Sequence, residues 1–157
     1  MIINPKQIEA EKIVENINEG KFEIQQNGID LTLESASLIN GGALGVDDKK
    51  MKLNTELEMD RADYFAFHPG HSYAIEFQQK VAIPENMCAQ IVHRSTLNRM
   101  GAFIISGLYD SGFKNQIGAV LRTTAPVEIQ KGARVAQIFF HEADSASMYD
   151  GQYQKGK

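Results

Sequence analysis

Four short segments carry polar side chains suited to chemistry within otherwise apolar surroundings. The run His93-Arg94-Ser95-Thr96-Leu97-Asn98-Arg99 sets a cation, a hydroxyl and a second cation at the start of a short helical pattern. Free backbone N–H groups and the helix dipole favour anions at such a terminus, so the run fits a phosphate cradle. It fits equally well an Arg94–carboxylate pair beside a Ser95 cap. Asp30, in Asn27-Gly28-Ile29-Asp30-Leu31, is an acid inside an alternating strand, where a carboxylate is more often edge-facing or turn-bonded than part of a site. Gly107-Leu108-Tyr109-Asp110-Ser111-Gly112-Phe113 reads as a strand ending in a tight hairpin that projects an acid and an aromatic three residues apart. An Asp before Ser-Gly also serves as a plain turn former. Lys131-Gly132-Ala133-Arg134-Val135-Ala136-Gln137-Ile138 is a turn feeding an apolar strand broken by one amide. If buried, Gln137 needs a partner, either a carboxylate or a ligand.

Other chemistries find no support. His68, His71, His93 and His141 lack zinc-ligand spacing, and the single cysteine, Cys88, lies between Met87 and Ala89 as a small buried hydrophobe would. No GxSxG elbow is present. One cysteine makes no intramolecular disulfide, which suits a reducing cytoplasm. The apolar run Ala102 to Ile105 falls far short of the ~20 residues of a membrane helix, and Pro5 with Lys6 speaks against a signal peptide. A formal net charge of −4 argues against broad attachment to a polynucleotide and leaves room for a local cationic pocket holding a small anion.

The elements that must position these residues are mostly strands. Asn4-Pro5 opens a helix in which Ala10, Ile13, Val14 and Ile17 recur at helical spacing, with Gly20 as its end. Thereafter the period is two. Phe22 and Ile24, then Ile29, Leu31 and Leu33, then Met51, Leu53, Leu57 and Met59, then Tyr73, Ile75 and Phe77 read as half-buried strands. Turn chemistry at Gly41-Gly42, Asp47-Asp48, His68-Pro69-Gly70, Pro84-Glu85-Asn86, Ser111-Gly112 and Lys131-Gly132 has the spacing of a β-sandwich or closed barrel. A second helix of about two turns is expected over Ser95 to Met100, stopped by Gly101. The expectation is one domain over residues 1–157, with a polar tail over 142–157 that is mobile or lies on a neighbouring subunit.

In this order and spacing, the four segments resemble the dUTPase / dCTP deaminase superfamily over about residues 20 to 140. Gly28 to Leu31 resembles the family's first motif, Arg94-Ser95 the second, Gly107 to Asp110 with Phe113 the third, and Lys131-Gly132 with Val135-Ala136-Gln137 the fourth. The resemblance implies a distorted β-barrel or jelly-roll and a homotrimer with active sites at subunit contacts. It also implies a magnesium-dependent reaction on a small deoxynucleotide.

The N-terminal helix, the Arg94 to Gly101 run and the Tyr153-bearing tail look like the deaminase side of the superfamily. Deaminases, however, move protons at the cytosine ring with a glutamate ten residues after the third-motif aspartate, and here that position is Val120. They also carry a His-Arg pair where this chain has Gly107-Leu108. An aliphatic side chain cannot take and return a proton. The resemblance therefore implies dUTP hydrolysis to dUMP and pyrophosphate. In that reading Asp110 is the base, and Phe113 lies against deoxyribose and excludes a 2′-hydroxyl. Arg94, Ser95 and Arg99 contact phosphates, and Gln137 stands on the phosphate side. Asp30 contacts Mg2+ through water. Ile104 stands where many hydrolases have a uracil-reading asparagine, so base selection falls to backbone around Ile105, Gly107 and Leu108. Tyr149 to Tyr153 replaces the usual closing motif. The alternatives are a dCTP deaminase or bifunctional relative, and a non-catalytic nucleotide-binding regulator on the same fold.

Overall fold

The computed structural model describes residues 1–17, 23–47 and 49–154. Period-two patterning accounts for most of the elements. In chain order these are α1 (Pro5–Ala10), β1 (Val14–Glu15), β2 (Ile29–Leu44), β3 (Lys50–Glu56), β4 (Tyr64–Phe67), β5 (Ser72–Ala82), β6 (Met87–His93), α2 (Ser95–Arg99), β7 (Ala102–Ile105), β8 (Lys114–Thr123), β9 (Val127–Gln130) and β10 (Arg134–Glu142). The main sheet runs β6-β10-β2-β5-β8-β7, with β1 added to β5 and β3 to β2, while β4 and β9 form a separate pair. The sheet curls until its edges meet, where Ala89 on β6 bridges Tyr109 just beyond β7. The result is the mostly β, nearly closed barrel with one N-terminal and one short internal helix that the sequence implied.

Alternation builds the core. Leu31 and Leu33 of β2, Ile75 and Phe77 of β5, Ile117 and Leu121 of β8, and Ile138 and Phe140 of β10 are all fully buried and pack as one cluster. Around Asp30 and Thr32 the other face of β2 is covered too. Polar groups there need partners. Thr32 finds its partner in the buried Gln79, whose side-chain oxygen accepts the Thr32 N–H at 2.9 Å while its nitrogen donates to Thr32 Oγ1 at 2.9 Å.

Several sequence expectations are corrected. The first helix stops at Ala10. Lys12 adopts φ 53°, and the N–H groups of Lys12 and Ile13 close back on the carbonyls of Glu9 and Ile8. That is a Schellman end in which buried Ile13 seals against buried Ile8, so Val14 emerges extended and pairs with Val81. Ile24 forms a lone bridge to Ile29 in place of a strand, because Gln25 N–H bonds the Gly28 carbonyl in a tight turn. Phe22 and Gly20 lie outside the described residues. Gly41-Gly42 is a register irregularity within β2, and β2 and β3 run on as a projecting hairpin closed at 45–49. Every residue of β3 is exposed, Met51 and Leu53 included, because this hairpin reaches past the body of the sheet. Helix α2 is five residues long, and its N-cap is Arg94, without a side-chain cap bond. Gly107 to Asp110 is a loop with one bridge, and Ser111-Gly112 supplies the turn. Among the described residues, no helix is long and apolar enough to cross a membrane.

Candidate active site

The sequence-derived residues collect in two places. The first lies where β2, β10 and the end of β6 run side by side. Gln137 faces Asp30 across the β10–β2 ladder, and Ala136 faces His93, the residue before Arg94. Asp30 is 1% exposed. Its Oδ2 accepts from Arg94 Nε and from Arg134 Nη1, each at 3.2 Å, and Gln137 Nε2 donates to its Oδ1 at 3.4 Å. Arg94 Nη1 also donates to the Arg134 carbonyl at 3.2 Å. Burial pushes the Asp30 carboxyl above the usual aspartate range, against the downward pull of Arg94 and then of Arg134. Gly28 permits this close packing, since a Cβ there would sit 2.6 Å from the Ile138 carbonyl and 2.7 Å from Gln137 Cγ.

The carboxylate that Gln137 requires is therefore Asp30. Arg134 joins the same cluster through a register irregularity between Arg134 and Ala136. Without it, residues three apart on a strand would point to opposite faces; a bulge re-aims one of them. Arg94 spends two of its five N–H donors inside the protein and is about a quarter exposed, so a guanidinium edge remains for an anion. Ser95 and Arg99 are exposed on α2 beside it.

The second place is an open cleft of about 600 Å³. Gly107, Leu108, Asp110 and Phe113 line it together with Ala74 and Glu76 of β5 and Gly118 and Val120 of β8, and Lys52 of β3 reaches it from the hairpin. Asp110 is exposed, and its carbonyl accepts from the Phe113 N–H at 3.1 Å. Phe113 is buried in an aromatic stack, with Tyr109 at 5.1 Å and Tyr149 at 5.4 Å between ring centroids. The chain's own tail reaches the rim. Tyr149 N–H bonds the Ser111 carbonyl at 2.7 Å, and Gln154 Nε2 donates to the Gly112 carbonyl at 2.9 Å. Lys50 and Lys52 lie over the Tyr153 ring, 3.5 and 4.8 Å from its centroid. The two ammonium groups beside it hold the Tyr153 phenol below its ordinary range.

Asp30, Arg94, Ser95, Arg99, Gln137 and Ile105 do not line this cleft. Tyr109 bridges Ala89, and Arg94 lies five residues further along the chain, or about 17 Å at ~3.3 Å per residue. Sequence reasoning missed Arg134, Tyr109 and Lys52. The first needed the register shift, the second a hydrogen bond to a distant strand, and the third the β2–β3 hairpin that brings Lys52 to the cleft.

A family model described as dCTP deaminase-like matches residues 3–143. The chain belongs to this family, within the dUTPase / dCTP deaminase superfamily. Among curated relatives, it is 36% identical to the probable deoxyuridine 5′-triphosphate nucleotidohydrolase of Methanopyrus kandleri, over 82% of this chain and 86% of the relative. It is 33% identical to the deoxyuridine 5′-triphosphate nucleotidohydrolase of Methanocaldococcus jannaschii, over 86% and 88%. Its fold resembles the crystal structure of the dCTP deaminase of Agrobacterium tumefaciens, with TM-score 0.70 and 17% identity, covering 90% of this chain and 48% of that one. The chain thus spans about half of that deaminase. The family's residues separate here into a cationic cluster and an acid-bearing cleft.

No group of three or more His, Cys, Asp or Glu side chains able to hold a metal occurs among the described residues. Both oxygens of Asp30 are taken by Arg94, Arg134 and Gln137. Its carboxylate fits the anchoring of these donors, and it does not fit the through-water metal contact expected from the sequence.

Proposed function

We propose that the chain is a dUTP diphosphatase working in the cytoplasm, and that it hydrolyses dUTP to dUMP and pyrophosphate. The observation that carries the mechanism is the cleft wall. Asp110 belongs to it beside Phe113, and the position where deaminases keep a glutamate, which also lines the cleft, is Val120. Asp110 takes a proton from water, the water oxygen bonds to the α-phosphorus, and the bond to the oxygen bridging the α- and β-phosphorus breaks to release pyrophosphate. Magnesium bound to the phosphates would supply charge neutralisation. Phe113 packs against deoxyribose, and Arg94, helped by Ser95 and Arg99, holds phosphate oxygens. Asp30 and Gln137 keep Arg94 in place.

A panel measuring pyrophosphate release from dUTP, dCTP, dTTP and UTP, with and without magnesium, tests this reading. The expected result is turnover of dUTP with magnesium, and little from UTP. Ammonia release from dCTP would overturn the preference for hydrolysis. One observation favours that second reading: Glu76 is another acid on the cleft wall, held by Ser35 Oγ at 3.1 Å. Binding of dUTP without pyrophosphate release would favour the regulator.

The span between the cleft and the cationic cluster supports a shared site. A single chain would need to bridge about 17 Å between Tyr109 and Arg94, longer than a triphosphate, while Asp30 holds Arg94 in place. In the homotrimer that the family resemblance implies, we infer that Asp110 of one subunit meets Arg94 of the next. Mixing Asp110→Asn protein with Arg94→Ala protein under conditions of subunit exchange should then restore activity neither has alone, since some mixed interfaces carry both wild-type residues. If exchange is demonstrated and no activity returns, each site is built within one subunit.

A further inference from the structure

The ladder between β7 and β8 stops short, and a side chain takes its next place. The strands pair through Ala102↔Thr123, Phe103↔Arg122, Ile104↔Leu121 and Ile105↔Val120. Continued in step, Gly107 would face Gly118. The chain instead leaves the sheet after Ile105, and the Tyr109 hydroxyl arrives at Gly118. It donates to the Gly118 carbonyl at 2.5 Å and accepts from the Gly118 N–H at 3.1 Å. A strand residue points its N–H and C=O at the same neighbour, so this one hydroxyl satisfies what an antiparallel partner would satisfy.

Tyr109 is fixed on its other sides. Its own N–H and carbonyl both bond Ala89, each at 2.9 Å, and its ring meets Phe113 edge-on. Gly118 is fitted to its place as well, since a Cβ there would lie 2.6 Å from the Ile75 carbonyl. Burial raises the Tyr109 phenol above its ordinary range, so it remains a donor. Meanwhile Gly107 and Leu108 are left outside the ladder. Among the described residues the N–H of neither makes a backbone hydrogen bond, and both residues line the cleft beside Asp110.

We propose that the Tyr109 hydroxyl, by occupying the place of Gly107 on β8, keeps the Gly107 and Leu108 N–H groups out of the ladder and open to the cleft, where they read a carbonyl oxygen of the pyrimidine, while the Gly107 carbonyl is held by Ser106 Oγ at 3.0 Å. Such N–H groups donate to the 4-oxygen of uracil and oppose the 4-amino group of cytosine, because a mismatched polar pair is left unsatisfied. Tyr109 is a positioning residue, acting through Gly107 and Leu108. The inference rests on the reading of the cleft as a deoxynucleotide site.

Tyr109→Phe tests it. Without the hydroxyl, the N–H and carbonyl of Gly118 lose their partner, and Gly107, already in register, is the backbone group placed to replace it. The expected outcome is a KM for dUTP raised about tenfold or more, with kcat changed less than about threefold and the preference for dUTP over dCTP reduced. An unchanged KM in folded Tyr109→Phe overturns the proposal while leaving the hydrolase reading intact. Amide exchange on the wild-type chain gives a second measurement that depends neither on turnover nor on the folding of the variant. The Gly107 N–H should exchange fast in the free protein and slow when dUMP is added, while the Gly118 N–H stays protected throughout. A Gly107 N–H already protected without nucleotide, or indifferent to dUMP, overturns the proposal. Absence of pyrophosphate release by the wild-type chain would instead sink the proposed activity.

Discussion

Asp110→Asn should lower kcat for dUTP hydrolysis by on the order of 10²–10⁴-fold, with KM and dUMP affinity changed only slightly. The amide is isosteric with the carboxylate, so the turn that presents it should survive: the Phe113 N–H bonds the Asp110 backbone carbonyl, which the substitution keeps. The side chain is exposed at the cleft, so little packing is lost. What disappears is the capacity to accept a proton from water. Steady-state kinetics together with dUMP binding by calorimetry separate the two effects. Equal loss of affinity and turnover would mean that Asp110 binds the nucleotide without priming water. Unchanged turnover would remove the carboxylate from the mechanism and leave Glu76 as the other acid lining the cleft.

Much of this site was legible in the sequence because its residues sit in short, strongly patterned segments. The alternation of Ile29, Leu31 and Leu33 placed Asp30 on a strand, and the need of Gln137 for a partner anticipated a carboxylate. What was not legible depends on departures from period two. Arg134 shares a partner with Gln137 only because the β10–β2 register shifts between Arg134 and Ala136. Tyr109 matters through a hydroxyl bond to Gly118, nine residues away, which no local pattern announces. The first helix was overread because Ile13 and Val14 continue the helical spacing past Lys12, whose left-handed backbone ends it. Met51 and Leu53 alternate as a half-buried strand does, yet they belong to a hairpin strand that stays exposed among the described residues. The separation of Asp110 from Arg94 was equally invisible, since motif order records sequence and carries no distance.

The double substitution Arg94→Met with Arg134→Met should destabilise the fold by about 3–5 kcal/mol near neutral pH, because it strips a buried carboxylate of both its cations. Asp30 would retain only the Gln137 amide at 3.4 Å. The effect should depend on pH with a definite sign. Burial already holds the native Asp30 carboxyl above its unfolded value of 3.8, so the folded state binds the proton more tightly than the unfolded state. Its contribution to stability is therefore full below about pH 3.8 and falls as pH rises through the folded-state value. Removing two groups that pull the carboxyl down moves that value further up and extends the fall towards neutrality. Urea unfolding of the double variant should thus show the deficit relative to wild type shrinking from pH 7.5 to pH 5. Adding Asp30→Asn to the double variant should remove this pH dependence and recover part of the lost stability, because a neutral amide has no charge to desolvate. A deficit that stays constant across that range would mean the carboxylate is solvated once the arginines are gone, and that the cluster is held together by the strands around it more than by its charges.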